Sequence, residues 1–141
     1  MTVRPPKDHT LLRVAWAMTE QATCSRLQVG AVIAQDTRPI VTGWNGAPAG
    51  RPHCEHDGTE DRCRTAVHAE RNAVGYAARK GLATEGATLY VTHAPCFDCA
   101  SIVQAAGIVR VVYAEPYGPP AGVLWLLDAG VKVERVLLDE V

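Results

Sequence analysis

GATLYVTHAPCFDCASIVQAAGIVRVVYAE, residues 86–115, decides how this chain is read. ATLYVTH, at 87–93, is short and rich in β-branched and aromatic residues, which predicts a strand. Pro95 to Ala106 reads as a helix, with proline near its first turn and Gly107 just past its end. IVRVVYAE, at 108–115, predicts the next strand. Cys96 and Cys99 open the helix three residues apart, on one helical face, where two thiolates can reach a single metal ion.

Outward from that unit the chain alternates short strands with amphipathic helices. Upstream, His68 and Glu70 open a helix over about 66–80, which sets Ala69, Ala73, Val74 and Ala77 on one side and stops at Gly81. Leu11, Ala15, Met18 and Ala22 recur at helical spacing and predict a first helix over about 10–23, capped by Asp8 or Thr10. VGAVIAQ (29–35) and PIVTGWN (39–45) read as a hairpin turning around Asp36, Thr37 and Arg38. Downstream, a last helix near 121–129 and a strand in VKVERVL (131–137) complete the order. After its leading helix, the β-β-α-β-α-β-α-β order implies a largely buried mixed sheet with helices on both faces. Gly46 to Arg64 shows no periodicity, and so long a loop in a small domain is usually functional.

The 141 residues fit one compact domain, 1–141, and 48% hydrophobic with 21% charged residues are ordinary globular values. A net charge of −1, without a block of like charges, lacks the electrostatic footprint of a long-polyanion binder. No stretch has the apolar length of a membrane span or signal peptide, so the expectation is a cytoplasmic protein. Five cysteines, two of them in a PCxxC string, point to metal ligands in a reducing compartment rather than to a disulfide framework.

Taken together, His68, Glu70, Cys96 and Cys99 match H-x-E…P-C-x-x-C and so resemble the signature of zinc-dependent nucleobase deaminases. One imidazole and two thiolates fill three positions of a tetrahedral zinc and leave the fourth for water, whose pKa zinc lowers to about 7. Glu70, two residues beyond the histidine, can carry protons from that water to the substrate. The plainer alternative is a structural zinc or a redox CxxC pair, with His68 and Glu70 merely capping a helix. A structural zinc calls for a fourth protein ligand, and a redox pair leaves the His-Ala-Glu string without a purpose.

CSRLQVGAVI, TGWNGAPAG, HAERNAV and the 86–113 segment resemble the deoxycytidylate deaminase family of the cytidine deaminase superfamily. The likeness runs over about Cys24 to Tyr113. It implies a three-layer α/β/α fold with a mixed five-stranded sheet, a catalytic zinc, and a homo-oligomer, dimer or hexamer, acting on a small nucleotide. The implied reaction is dCMP to dUMP with release of ammonia. Carried over by the same resemblance, Asn45 helps bind the deoxyribose, while the Ala69 backbone and the stretch from Thr92 to Pro95 line the pyrimidine pocket. The phosphate calls for an arginine. Arg26 is the first candidate, ahead of Arg51 and Arg71, for which a solvated surface charge is the favoured reading. Deaminases of cytosine, of cytidine or of adenosine in RNA remain alternatives, as does a non-catalytic zinc-stabilised binding module, because the zinc core is shared.

Cys24, His53, Cys54, His56 and Cys63 stand outside that constellation, four of them in the long loop. A second, structural zinc on Cys24, Cys54, Cys63 and one of the two histidines would explain how the loop is ordered. The alternative is free thiols and exposed imidazoles.

Overall fold

A computed structural model describes residues 2–56, 63 and 65–138. Residues 57–62 and Arg64, which belong to the long loop of the sequence reading, lie outside the described residues. The elements in chain order are α1 (Lys7–Met18), β1 (Gly30–Gln35), β2 (Arg38–Trp44), α2 (Ala69–Lys80), β3 (Thr88–His93), α3 (Phe97–Ala105), β4 (Arg110–Glu115), α4 (Ala121–Asp128) and β5 (Lys132–Arg135). They form one five-stranded sheet in the order β2-β1-β3-β4-β5. β1 runs antiparallel to both of its neighbours, whereas β3, β4 and β5 are parallel.

Alternation along the strands sorts side chains between two cores. Val32, Ala34, Tyr90 and Val112 face α1, where they meet Leu11, Leu12 and Ala15. On the other face Ala31, Ile33, Leu89, Val91 and Val111 pack against α2, α3 and α4 through Ala73, Ala77, Val103 and Leu126. This is the expected three-layer arrangement with a mixed five-stranded sheet, one helix on one face and three on the other. The β1–β2 hairpin turns through Asp36 and Thr37, both with positive φ (50° and 66°), as a tight two-residue turn matching strand twist requires. Pro39 is tolerated because β2 is an edge strand.

The helix starts differ from the sequence reading. α1 begins three residues earlier than expected, behind Pro6, and has no side-chain cap. Neither Asp8 nor Thr10 takes that role. Asp8 lies within the first turn, where its carboxylate accepts from Arg110 Nη1 and Nη2 (2.9 and 2.6 Å) and from the Tyr90 hydroxyl (2.7 Å). Arg110 also donates to Glu134 through Nε and Nη2, both at 3.2 Å. One guanidinium thus ties the start of α1 to β3, β4 and β5. α2 and α3 begin later than expected, because His68 and Cys96 keep extended backbone as the residues flanking each helix. Among the described residues no helix is long and apolar enough to cross a membrane.

The hydrogen bonds from Arg110 hold the Asp8 carboxyl below its usual range, against the opposing effect of burial. A carboxyl whose pKa is depressed by folding stabilises the fold above its unfolded pKa, near 3.9, and loses that contribution as pH falls through the lower folded value. Asp8→Asn should therefore cost about 1–2 kcal/mol near neutral pH, a figure reduced from that of fully buried charge-assisted bonds because the Asp8 side chain is 28% exposed. In thermal melts the gap to the parent chain should hold between roughly pH 5 and 8 and narrow below about pH 4. A gap that widens in acid would contradict the assignment.

Candidate active site

Two helix starts carry the chemistry. His68 immediately precedes α2, and Glu70 sits in its first turn; Cys96 immediately precedes α3, and Cys99 lies within its first turn. The partial positive charge of a helix N-terminus favours thiolate and carboxylate there. Two glycines allow these starts to approach their neighbours. A Cβ on Gly43 of β2 would overlap the Ala69 carbonyl oxygen and stand 2.8 Å from the Ala73 nitrogen. One on Gly122 of α4 would overlap the Pro95 carbonyl oxygen and stand 2.7 Å from the Cys96 carbonyl carbon. Both glycines fall inside elements the sequence predicts, a strand over 39–45 and a helix near 121–129, where a glycine can mark a close backbone approach but not which partner makes it.

The result is a compact donor set. His68 Nδ1 lies 3.2 Å from Cys99 Sγ and 3.5 Å from Cys96 Sγ, and all three ligand atoms fall within 4.8 Å of one another. Zinc bonds of about 2.05 Å to nitrogen and 2.3 Å to sulfur, at tetrahedral angles, would set nitrogen and sulfur roughly 3.6 Å apart. The donor set fits zinc in chemistry and spacing. Among the described residues it has three members, so a fourth position stays open to solvent or substrate.

Proton sharing within the set follows from its closeness. The Cys99 thiol, hydrogen-bonded to Cys96, brings Cys96 down to about 3, and His68 lowers it further. Sharing with Cys96 pushes Cys99 up, as does burial. His68 is raised by its bond to Cys96, against desolvation. Beside them Glu70 is 4% exposed. Burial raises its carboxyl, opposed by the Glu70 backbone N–H, the charge of His68 and the Cys99 thiol. A carboxyl that is buried and raised in this way can hold a proton and return it.

His68, Glu70 and Cys96 open into a cleft of about 480 Å³, within the usual range for small-ligand sites, while Cys99 stays fully buried behind them. Ala69, Asn45 and Arg26 line it, as the sequence reading expected. Thr92 and Pro95 do not. Both are fully buried, and the cleft wall is made instead by His93 and Ala94 between them. Asn45, 7% exposed, also holds the preceding loop: its Oδ1 accepts from the Val29 N–H (2.7 Å) and its Nδ2 donates to the Leu27 carbonyl (2.6 Å). Arg51 is exposed and away from the cleft. Arg71, read from the sequence as a surface charge, lines the cleft instead. Its Nε is buried and has no hydrogen-bond partner among the described residues.

A second cluster joins Cys24, Cys54, His56 and Cys63, again with every ligand atom within 4.8 Å of the others. Cys24 Sγ lies 3.2 Å from His56 Nε2. His53 is exposed and outside the cluster, which decides between the two histidines left open by the sequence. Burial works against ionisation of Cys63, yet the Ala66 N–H and the Thr65 hydroxyl bring it down to about 6. Cys54 is pushed up to about 11 by burial and by its neighbours Cys24 and Cys63. Four strong protein donors make a closed set of the structural kind. The ends of the loop are also pinned, by paired backbone bonds between Gly46 and Val67 (3.1 and 2.8 Å).

The family model described as the cytidine and deoxycytidylate deaminase zinc-binding region matches residues 5–115. The chain belongs to that family. It is 44% identical over 124 residues to ComE operon protein 2 of Bacillus subtilis, an alignment covering 85% of the chain and 66% of that protein. It is 34% identical over 173 aligned positions to the deoxycytidylate deaminase of Enterobacteria phage T2, with 92% of each covered. Among solved structures, the dCMP deaminase of cyanophage S-TIM5 in complex with dCMP and dUMP superposes with a TM-score of 0.88 at 29% identity, covering 96% of this chain and all of that one. Zinc is the cofactor of this family, and the two clusters are where this chain can hold it.

Elemental analysis of purified protein should give close to two zinc ions per chain. Cys54→Ser should remove one of them and lower the melting temperature, whereas His53→Ala should leave both. A chain that retains only one zinc, or that loses one with His53→Ala, would contradict the second cluster as drawn.

Proposed function

We propose that this chain hydrolyses the exocyclic amine of a cytosine deoxynucleotide, converting dCMP to dUMP with release of ammonia. The observation that carries the proposal is the open three-donor set of His68, Cys96 and Cys99 with a buried carboxyl, Glu70, beside it on the floor of a cleft. Bound zinc supplies Lewis acidity there, bringing the pKa of a coordinated water close to 7. His68, Cys96 and Cys99 would hold it. Glu70 would take a proton from the attacking water as a C4–O bond forms, and deliver it to ring nitrogen N3. The second proton passes through the same carboxylate to the amine, the C4–N bond breaks, and ammonia leaves. The Ala69 backbone and Asn45 face the base and sugar.

Two cations in the cleft suit the phosphate. Arg26 follows the loop segment that starts at Cys24, and Arg71 brings an Nε that no described residue engages. A dianion is a natural partner for a guanidinium in such a position. The net charge of −1 favours a small nucleotide over a long polyanion. The chain acts as a single domain, in the cytoplasm where free nucleotides are its substrates, and as a homo-oligomer. Ile102, Leu124 and Leu127 leave apolar surface exposed on α3 and α4, and Phe97 at the cleft packs edge-on against Trp125, with centroids 5.3 Å apart, so that surface is continuous with the cleft.

Glu70→Gln should keep both zinc ions and the fold while lowering dCMP turnover by about 10³-fold or more, following ammonia release. Substantial turnover by that variant would remove Glu70 from the proton path. In a panel of cytosine, cytidine, CMP, dCMP, dCTP and adenine compounds, dCMP should give the highest kcat/KM. Release of ammonia from none of them would refute the enzymatic reading.

A further inference from the structure

His93 closes β3 three residues before Cys96 and lines the cleft. Its imidazole is flanked by the rings of Trp16 (centroids 5.7 Å apart, tilted 57°) and Tyr117 (6.3 Å, edge-on at 83°). Two rings from α1 and from the β4–α4 connection thus restrain its plane. Its Nδ1 lies 2.7 Å from Thr92 Oγ1, which in turn accepts from the Gly30 N–H at 3.2 Å.

That relay decides the tautomer. Thr92 is fully buried, and a buried hydroxyl proton needs an acceptor. Among the described residues the only acceptor in its reach is His93 Nδ1. The hydroxyl therefore donates to Nδ1, and a neutral ring must carry its own proton on Nε2. Burial, partly offset by the charge of Glu115, lowers the imidazole pKa and keeps the ring neutral. Among the described residues Nε2 has no hydrogen-bond partner, and His93 lines the cleft, so an oriented ring keeps one donor that no described residue engages.

We propose that His93 is a substrate-binding residue whose Nε2–H donates to an acceptor oxygen of the nucleotide's sugar-phosphate. This rests on the reading of the cleft as a nucleotide deaminase site. The sugar-phosphate, rather than the base, is the partner because of depth. Glu70, His68 and Cys96 line the part of the cleft that the base must reach, with Glu70 only 4% exposed, whereas the stack containing His93 includes Tyr117, which is 45% exposed and belongs to the rim. Within the sugar-phosphate, phosphate and sugar oxygens offer the same acceptor chemistry.

The test pairs two variants with a measurement on the parent chain. His93→Phe keeps a ring between Trp16 and Tyr117 but removes the donor; His93→Gln restores an N–H near the position of Nε2. With zinc content and melting temperature close to those of the parent, His93→Phe should raise KM for dCMP about tenfold while kcat changes by less than about threefold, and His93→Gln should recover most of the loss. Deoxycytidine locates the acceptor: a penalty seen only with dCMP places it on phosphate, and one seen with both substrates places it on the sugar. Nitrogen-15 spectra of the parent should show His93 protonated at Nε2, with that signal shifting when dUMP is added. The proposal is overturned by an unchanged KM in His93→Phe, by equal losses in the two variants, by a proton on Nδ1, or by a signal that dUMP leaves in place. A parent chain that does not deaminate dCMP would instead overturn the enzymatic reading on which this one stands.

Discussion

Three donor atoms from two different helices have to converge within a few ångströms, and most of the architecture follows from that requirement. The His68 imidazole stands 3.2 and 3.5 Å from the two sulfurs. Such spacing leaves little tolerance in where α2 and α3 begin. The parallel pair β3 and β4 sets the start of α3, because the helix leaves directly from the end of β3. The edge strand β2 sets the start of α2, and it can do so only because Gly43 lets the helix backbone lie against it. Gly122 performs the same service for the Pro95–Cys96 peptide under α4. In each case a missing Cβ, rather than an added contact, places a ligand.

The two cysteine–histidine clusters use the same donor chemistry and differ in closure. Four donors surround the second site completely, while three leave the first with an open position beside Glu70. The closed cluster is nevertheless not remote from the chemistry. Cys24 and Cys63 both line the cleft, so the loop that the cluster gathers also forms one of its walls. Arg26 follows Cys24 by two residues, and the next segment, Leu27 to Val29, is held by both ends of the Asn45 amide. The cluster, the loop segment and the Asn45 amide together fix where Arg26 stands at the cleft.

Opposite that wall, the end of β3 supplies a second kind of order. Thr92 points into the sheet and binds Gly30, whose lack of a side chain lets α1 pack close to β1. His93, the next residue, lines the cleft. A backbone contact deep between α1 and β1 thereby orients an imidazole at the surface, through one hydroxyl.

Local chemistry was enough to read the element order, the mixed sheet and the zinc signature. Alternation and helical period depend only on neighbours in the chain, and His68, Glu70, Cys96 and Cys99 announce themselves by spacing within single helix starts. What sequence neighbours cannot determine is which groups meet across the fold. Asp8 resembles a cap, yet its carboxylate is claimed by Arg110, 102 residues away. Arg71 resembles a surface charge on α2 until the folded chain buries its Nε in the cleft. Either histidine could have completed the second cluster; the path of the loop selects His56 and leaves His53 in solvent. Within the stretch from Thr92 to Pro95 it is packing that buries Thr92 and Pro95 and leaves His93 and Ala94 to line the cleft. Periodicity is a property of the chain, but convergence is a property of packing, and this site is built by convergence.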